Sequence, residues 1–168
     1  MKYSVVVSSR TGNTKMLADV ISARLSGRNV IYTGSPADEA AEADFIFAGF
    51  WTDKGSCDDS VRRFLEKLEN KTVFLFGTSG FGQSPAYFEE ILGRVKAFLP
   101  PSCTVAGTFM CQGKMPPSVR ERYEAMLAGN PDDEKIRAMI ANFDTALSHP
   151  DENDLNSLKS ALDALNLE

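Results

Sequence analysis

The feature that most constrains this chain is a change of hydrophobic period that recurs along its first 111 residues. Five short runs, Tyr3 to Ser8, Asn29 to Thr33, Asp44 to Phe50, Thr72 to Phe76 and Thr104 to Cys111, are rich in Val, Ile and Phe. Val73-Phe74-Leu75-Phe76 is apolar at every position, as suits a parallel strand covered on both faces. Between the runs the apolar spacing becomes helical. Leu17, Val20, Ile21 and Leu25 form one stripe, closed by Gly27 as a C-cap. Val61, Phe64, Leu65 and Leu68 form a second. Ile91, Leu92, Val95, Phe98 and Leu99 form a third, entered through Ser84-Pro85 as N-cap and N1 and stopped by Pro100-Pro101. A short helix is expected from Ser35 to Glu42, where Ser35-Pro36 and Asp38 resemble a capping box.

Strand and helix alternating to five strands specify an α/β fold of three layers, a doubly wound five-stranded parallel sheet with right-handed crossovers. In such sheets ligands bind beyond the carboxyl ends of the strands, where the winding reverses. The loops after the first, third and fourth predicted strands are therefore where chemistry is expected.

Past Cys111 the pattern is helical throughout. Val119, Tyr123, Met126 and Leu127 predict an amphipathic helix after Pro116-Pro117, ended by Gly129-Asn130-Pro131. Ile136, Met139, Ile140, Phe143 and Leu147 predict a longer one, expected to cover the sheet, and His149-Pro150 breaks it. Leu155, Leu158, Leu162 and Leu165 then give a narrow stripe on a last helix. Three turns are short for a coiled coil, so this helix is expected to dock on its own domain, leaving a monomer rather than a dimer. No repeat or linker divides the chain. Residues 1–168 read as one domain, with 113–131 a helical insertion and 150–168 a C-terminal elaboration.

The 168 residues can bury a core without staples. Cys57, Cys103 and Cys111 are odd in number and never spaced C-x-x-C, which fits a reducing compartment better than disulfides or zinc. The apolar run at Tyr3 to Val7 is too short for a leader, and no window is long enough to span a membrane, so a cytoplasmic protein with no membrane partner is expected. Net charge is −5, and residues 36–59 alone hold seven acids against Lys54. That acidic run disfavours nucleic acid and is expected either to steer a basic partner or simply to be solvated helix starts.

The loop after the first predicted strand reads Ser9-Arg10-Thr11-Gly12-Asn13-Thr14. A strand-to-helix turn offers backbone N–H groups without intrahelical partners, under the positive end of the helix dipole. Ser9, Thr11 and Thr14 add hydroxyls, and Gly12 allows close approach, so the turn is suited to a terminal phosphate. Read alone, the same residues make an N-cap and turn. A Walker A loop or a three-glycine dinucleotide loop is absent.

This loop resembles that of the flavodoxin family, T/S-x-T-G-N-T directly after the first strand. Ser9, Thr11, Gly12, Asn13 and Thr14 match position by position. The resemblance covers the order of elements to about Cys111, plus a closing helix near Asp133 to Ser148. It implies bound FMN, sheet order 2-1-3-4-5, and electron traffic between redox partner proteins. Arg10, at the motif's unspecified position, is expected to help at the phosphate by its charge alone. The resemblance also assigns the ring to two further loops. Gly49-Phe50-Trp51-Thr52-Asp53-Lys54-Gly55 would stack Trp51 on the ring with Thr52 and Asp53 beside it, Phe50 being core. In the family a peptide here reorients with redox state, and Gly55 is the candidate hinge. Thr78, Ser79, Gly80, Phe81 and Gly82 would meet the ring edge through main chain. The family pattern there is glycine, acid and a stacking tyrosine. This chain has no acid and only Phe81, so one ring face is left open or covered by Phe81. Tyr87 reads as a packing residue.

Other residues carry less. His149 is expected to satisfy carbonyls at a helix end. Cys111 lacks a histidine partner and reads as buried filler, with Gln112-Gly113-Lys114 on the outer rim of the site. Two functions compete: an FMN electron carrier, and an FMN-dependent reductase of a flat acceptor such as a quinone or nitro compound, using NAD(P)H. A phospho-receiver would need acids where Ser8-Ser9 and Gly49 stand.

Overall fold

The computed structural model describes residues 1–82 and 84–168. Gln83, at the end of the glycine-rich loop, lies outside the described residues. In chain order the elements are β1 (Tyr3–Val7), α1 (Asn13–Arg24), β2 (Val30–Gly34), a 3-10 turn (Asp38–Glu42), β3 (Phe45–Asp53) and β4 (Ser56–Cys57). They continue as α2 (Asp59–Glu66), β5 (Thr72–Ser79), α3 (Pro85–Lys96), β6 (Thr104–Gln112), α4 (Pro117–Gly129), α5 (Glu134–Ala146) and α6 (Glu152–Asp163).

The sheet runs β2-β1-β3-β5-β6, all parallel, with β4 antiparallel to the end of β3. With β4 set aside this is the expected order 2-1-3-4-5. The winding reverses between β1 and its neighbours β2 and β3, which opens a crevice at the carboxyl ends. The period of two along each strand explains the unbroken apolar runs. Ile46, Ala48, Val73 and Leu75 face one side, against Val61, Leu65, Ile91 and Val95 of α2 and α3. Phe45, Phe47, Phe74 and Phe76 face the other, against Leu17, Ala18 and Ile21 of α1 and Leu158 and Leu162 of α6.

Two expectations are corrected. Residues 35–42 form no α-helix: the 3-10 turn starts after Ala37 and has no side-chain cap. The crossover from Gly34 to Phe45 is too short for a full α-helical connection, which takes about a dozen residues. The helix that closes the sheet is α6, packed on α1 and β6, whereas α5 packs on α4. Asp151 caps α6 through a capping box with Asp154, and the leucine stripe behind it buries Leu158 and Leu162. The α5 stripe instead leaves Leu147 exposed, and Arg120 of α4 clamps Asp144 of α5 at 2.9 Å. Helices α4 and α5 thus form a hairpin inserted between β6 and α6. No helix among the described residues is long and apolar enough to cross a membrane.

Candidate functional site

The loop after β1 turns on Gly12, whose φ of +89° is the left-handed conformation that favours glycine. Ser9 Oγ sits inside the turn and accepts from the backbone N–H of Gly12 at 3.1 Å and of Lys15 at 3.3 Å. The loop is thereby built around an oxygen acceptor at the helix end. Among the described residues the N–H groups of Asn13 and Thr14, at the first turn of α1, have no protein acceptor.

The side chains of Asn13 and Thr14 face inward. Thr14 is buried, and its hydroxyl lies 3.0 Å from Thr78 Oγ1 while donating to the Phe50 carbonyl at 3.2 Å. It therefore ties α1 to β3 and β5, whereas its motif position implied a donor to a ligand. Asn13 Nδ2 donates to Thr11 Oγ1 and to the Lys114 carbonyl, both at 2.8 Å. Asn13 Oδ1 is buried and has no partner. A Cβ on Gly113 would come within 2.5 Å of that amide, so glycine is needed for the loop after β6 to meet the loop after β1.

The expected loop after the third strand is mostly strand. β3 continues through Asp53, and Lys54 and Gly55, at φ +51° and +78°, form a two-residue turn into β4. Two positive φ values match the twist of the flanking strands, which is why this turn makes a tight hairpin. Trp51 is therefore a strand residue paired with Thr78, half-buried, with the Arg10 guanidinium 5.4 Å above its ring. Its position in a flexible loop, the ground for expecting it to stack on a ligand, is absent, yet it still faces the crevice. Thr52 Oγ1 is buried there without a partner, while Asp53 is exposed and lies outside the cavity wall. Phe50 is core, its ring filling the space beneath Gly77. The Gly55 carbonyl accepts from Arg94 Nη1 of α3 at 2.9 Å.

β5 also outruns its expected end and reaches Ser79, with Thr78 and Ser79 buried. The Gly80 carbonyl is held by Gln112 Nε2 at 2.9 Å and Asn142 Nδ2 at 3.0 Å. A Cβ at Gly80 would strike Met115, and one at Gly82 would strike Gln112. Phe81 is 43% exposed at the rim. Tyr87 both packs on the core and lines the crevice.

These segments enclose a cavity of about 310 Å³ at the carboxyl ends of the strands. Arg10, Thr11, Asn13, Trp51, Thr52, Gly55, Thr78, Ser79, Gly80 and Phe81 line it, as the sequence led us to expect. Ser9, Gly12, Thr14, Asp53 and Gly82 do not line it. They shape the loops instead, except Asp53, which pairs with Ser56 across the hairpin. Sequence reasoning placed Gly113 and Lys114 on the rim, and they line the cavity. It missed Lys54, Met115, Pro116 and Val119. The helix start at Pro117 was the available signal, because a helix that begins five residues after a strand end must stand over that end.

Nearby residues play structural parts. Burial pushes the Cys111 thiol well above its ordinary range, consistent with filler. His149 meets the end of α5 as expected, but through its main chain: its N–H donates to the Ala146 carbonyl at 2.9 Å, while its ring turns to α6. Its Nδ1 meets Asp154 Oδ2 at 2.6 Å, and its carbonyl accepts from Lys114 N–H at 2.9 Å, fixing the roof of the cavity to the start of α6.

A family model described as a flavodoxin domain matches residues 4–163. The chain belongs to the flavodoxin family. Among curated relatives it is 39% identical to the flavodoxin-like domain-containing protein BilS of Clostridium symbiosum, over 96% of this chain and 94% of that one. It is 35% identical to BilS of Clostridioides difficile, over 92% and 90% of the two chains. Solved structures share the flavodoxin fold at lower identity. An NADH:FMN oxidoreductase (EMOB) in its apo form gives a TM-score of 0.53 at 14% identity, covering 90% of this chain and 97% of that one. A short-chain flavodoxin associated with a bacterial microcompartment gives 0.50 at 18%, covering 86% and 97%. The helical hairpin α4–α5 lies inside the family match.

Proposed function

We propose that this single-domain chain binds FMN in the cavity and carries electrons between redox enzymes in the cytoplasm. The observation that carries the reading is the acceptor-centred turn at residues 9–14 opening on the same cavity as Trp51 and the glycine-rich segment. The residues fit the group. Free N–H groups of Asn13 and Thr14, with the hydroxyl of Thr11, would hold the phosphate under the α1 dipole, and Ser9 would keep the turn in shape. The orphaned Asn13 Oδ1 and Thr52 Oγ1 suit hydroxyls of the ribityl chain, since a buried acceptor or donor left unpaired costs free energy. Trp51 and the main chain at Thr78 to Gly82 would take the ring. When bound, FMN supplies a ring that exchanges electrons, and the protein contributes binding, orientation and field.

Titration of the apoprotein with FMN, read by quenching of Trp51 fluorescence, tests this. Saturable one-to-one binding that riboflavin matches only weakly supports it, and protein that stays colourless and unquenched ends it.

A second reading has its own observation. Met115, Pro116 and Val119 add an apolar wall on the Gly80 side of the cavity, where the family tyrosine is missing. Such a wall suits a small flat acceptor, and the likeness to an NADH:FMN oxidoreductase is compatible in fold. Steady NAD(P)H oxidation coupled to a quinone, with no other protein added, would favour this reading over the carrier.

A further inference from the structure

The Gly80 carbonyl lies at the centre of a closed set of side-chain amides. Gln112 Nε2, at the end of β6, donates to it at 2.9 Å, and Asn142 Nδ2 of α5 donates to it at 3.0 Å. Gln112 Nε2 also donates to Asn142 Oδ1 at 3.0 Å, which closes the set. Gln112 is 5% exposed and Asn142 8%, so two amide side chains are buried around one main-chain oxygen. Burying amides costs free energy unless their polar atoms find partners, and apolar residues would dock α5 with less to satisfy. The same loop is restrained twice more, by Met115 in the space a Cβ at Gly80 would need and by Gln112 in that of Gly82.

The direction of the carbonyl matters for the cavity. Gly80 and Phe81 line the cavity, whereas Gln112 and Asn142 do not, so the oxygen points away from it. In a planar trans peptide the N–H lies opposite the C=O, which turns the Phe81 N–H toward the cavity. Among the described residues no main-chain group accepts from it.

We infer that Asn142 and Gln112 are positioning residues, which fix the Gly80–Phe81 peptide so that the cavity meets a donor here and never an acceptor. The inference deepens the FMN reading and rests on it. A donor set in advance needs no ordering when a ligand arrives, and it selects a ring edge that carries an acceptor there, a carbonyl or an unprotonated nitrogen. It also gives the α4–α5 hairpin a part in the site. Helix α5 lines none of the cavity, yet it sets which way one peptide of the wall faces.

Asn142→Leu keeps the heavy-atom shape and removes one donor, and Gln112→Met removes the other should the first variant not fold. In ligand-free wild type the Phe81 amide should show the 15N order parameter of rigid backbone, about 0.85, and in the variant it should fall toward about 0.6. Affinity for FMN and for riboflavin should drop by the same factor, about three- to tenfold, because the donor serves the ring and not the phosphate. Asn142→Asp supplies the readout that loss of packing would not move. Its carboxyl can donate to the Gly80 carbonyl only when protonated, so riboflavin affinity, as a ratio to wild type at each pH, should recover as pH falls from 8 to 5. An unchanged order parameter in a folded variant, a loss confined to FMN, or a ratio that ignores pH overturns the inference. Wild-type protein that binds no flavin ends the FMN reading instead, and the order parameters still decide whether the peptide is clamped.

Discussion

Thr14→Val separates two roles for one hydroxyl. The motif position points it at a phosphate, whereas the structure places it at 3.0 Å from Thr78 Oγ1 and 3.2 Å from the Phe50 carbonyl, in a site 1% exposed. Valine has a similar shape but neither donates nor accepts. Losing the two bonds costs about 1 kcal/mol each, and the stranded Thr78 hydroxyl adds roughly 1 kcal/mol or more for desolvation without a partner. The extra buried methyl returns about 0.8 kcal/mol. The balance is a loss of about 2 kcal/mol of apoprotein stability, which for a chain of this size lowers Tm by about 4–8 °C.

Urea unfolding of the apoprotein, followed by circular dichroism, measures the loss as a lower midpoint at unchanged slope. FMN affinity is measured on the folded variant under native conditions. It should change by no more than about threefold, because the phosphate contacts left at this position are backbone N–H groups that valine keeps. The reasoning is refuted if stability moves by less than about 0.5 kcal/mol, the range of an inconsequential surface change, while affinity falls tenfold or more. That result would mean the hydroxyl turns outward to the ligand.

Three further outcomes follow from the packing. Leu158→Ala, in a side chain fully buried against α1 and the sheet, should cost about 2–4 kcal/mol by urea unfolding, and an unchanged midpoint would mean that α6 is not part of the core. Gly77→Ala should destabilise by about 1–3 kcal/mol, because its Cβ would lie 2.5 Å from the ring of Phe50, which is fully buried in the core, and wild-type stability would show that the ring moves. Burial pushes the Cys57 thiol up to about 11 and raises Cys111 further, so in native protein at pH 8 only the half-buried Cys103 should react quickly with a thiol reagent. Cys57 reactivity should then climb as pH rises toward 11, since the reactive thiolate forms only there, and fast labelling of Cys57 at pH 8 would contradict the burial.

The fold was legible because its signals are local and repeated. Val73 to Phe76 must be covered on both faces whatever surrounds it, and the stripes of α1, α2 and α3 supply the cover. What sequence could not decide was which of two amphipathic helices closes the sheet. The α5 stripe is longer than that of α6, and length favoured it. The choice depends on partners rather than on stripes: α5 has α4 beside it, joined by Arg120 and Asp144, whereas α6 has only the sheet and α1 to bury its leucines. The short crossover after β2 was misread for a related reason, since Ser35-Pro36 is a genuine start signal with too few residues behind it to propagate a helix.

The site was legible where chemistry depends on backbone shape and obscure where it depends on remote elements meeting. Gly12 could be placed because a turn between strand and helix calls for a left-handed residue there. Lys54-Gly55 could have been read as a two-residue hairpin turn, but the partner strand is only Ser56–Cys57, too short to show a period of its own. The roof is harder still. Nothing near Met115 in sequence says that it fills the space a side chain at Gly80 would need, and nothing near Asn13 says that its amide holds Lys114, 101 residues away. Charge shows the same limit most plainly. Seven acids within residues 36–59 look like one field in a string of letters. β3 carries the chain from the amino end of the sheet to the carboxyl end between Asp44 and Asp53, so the run is split between two ends of the molecule, while the cavity wall draws three cations from three separate loops.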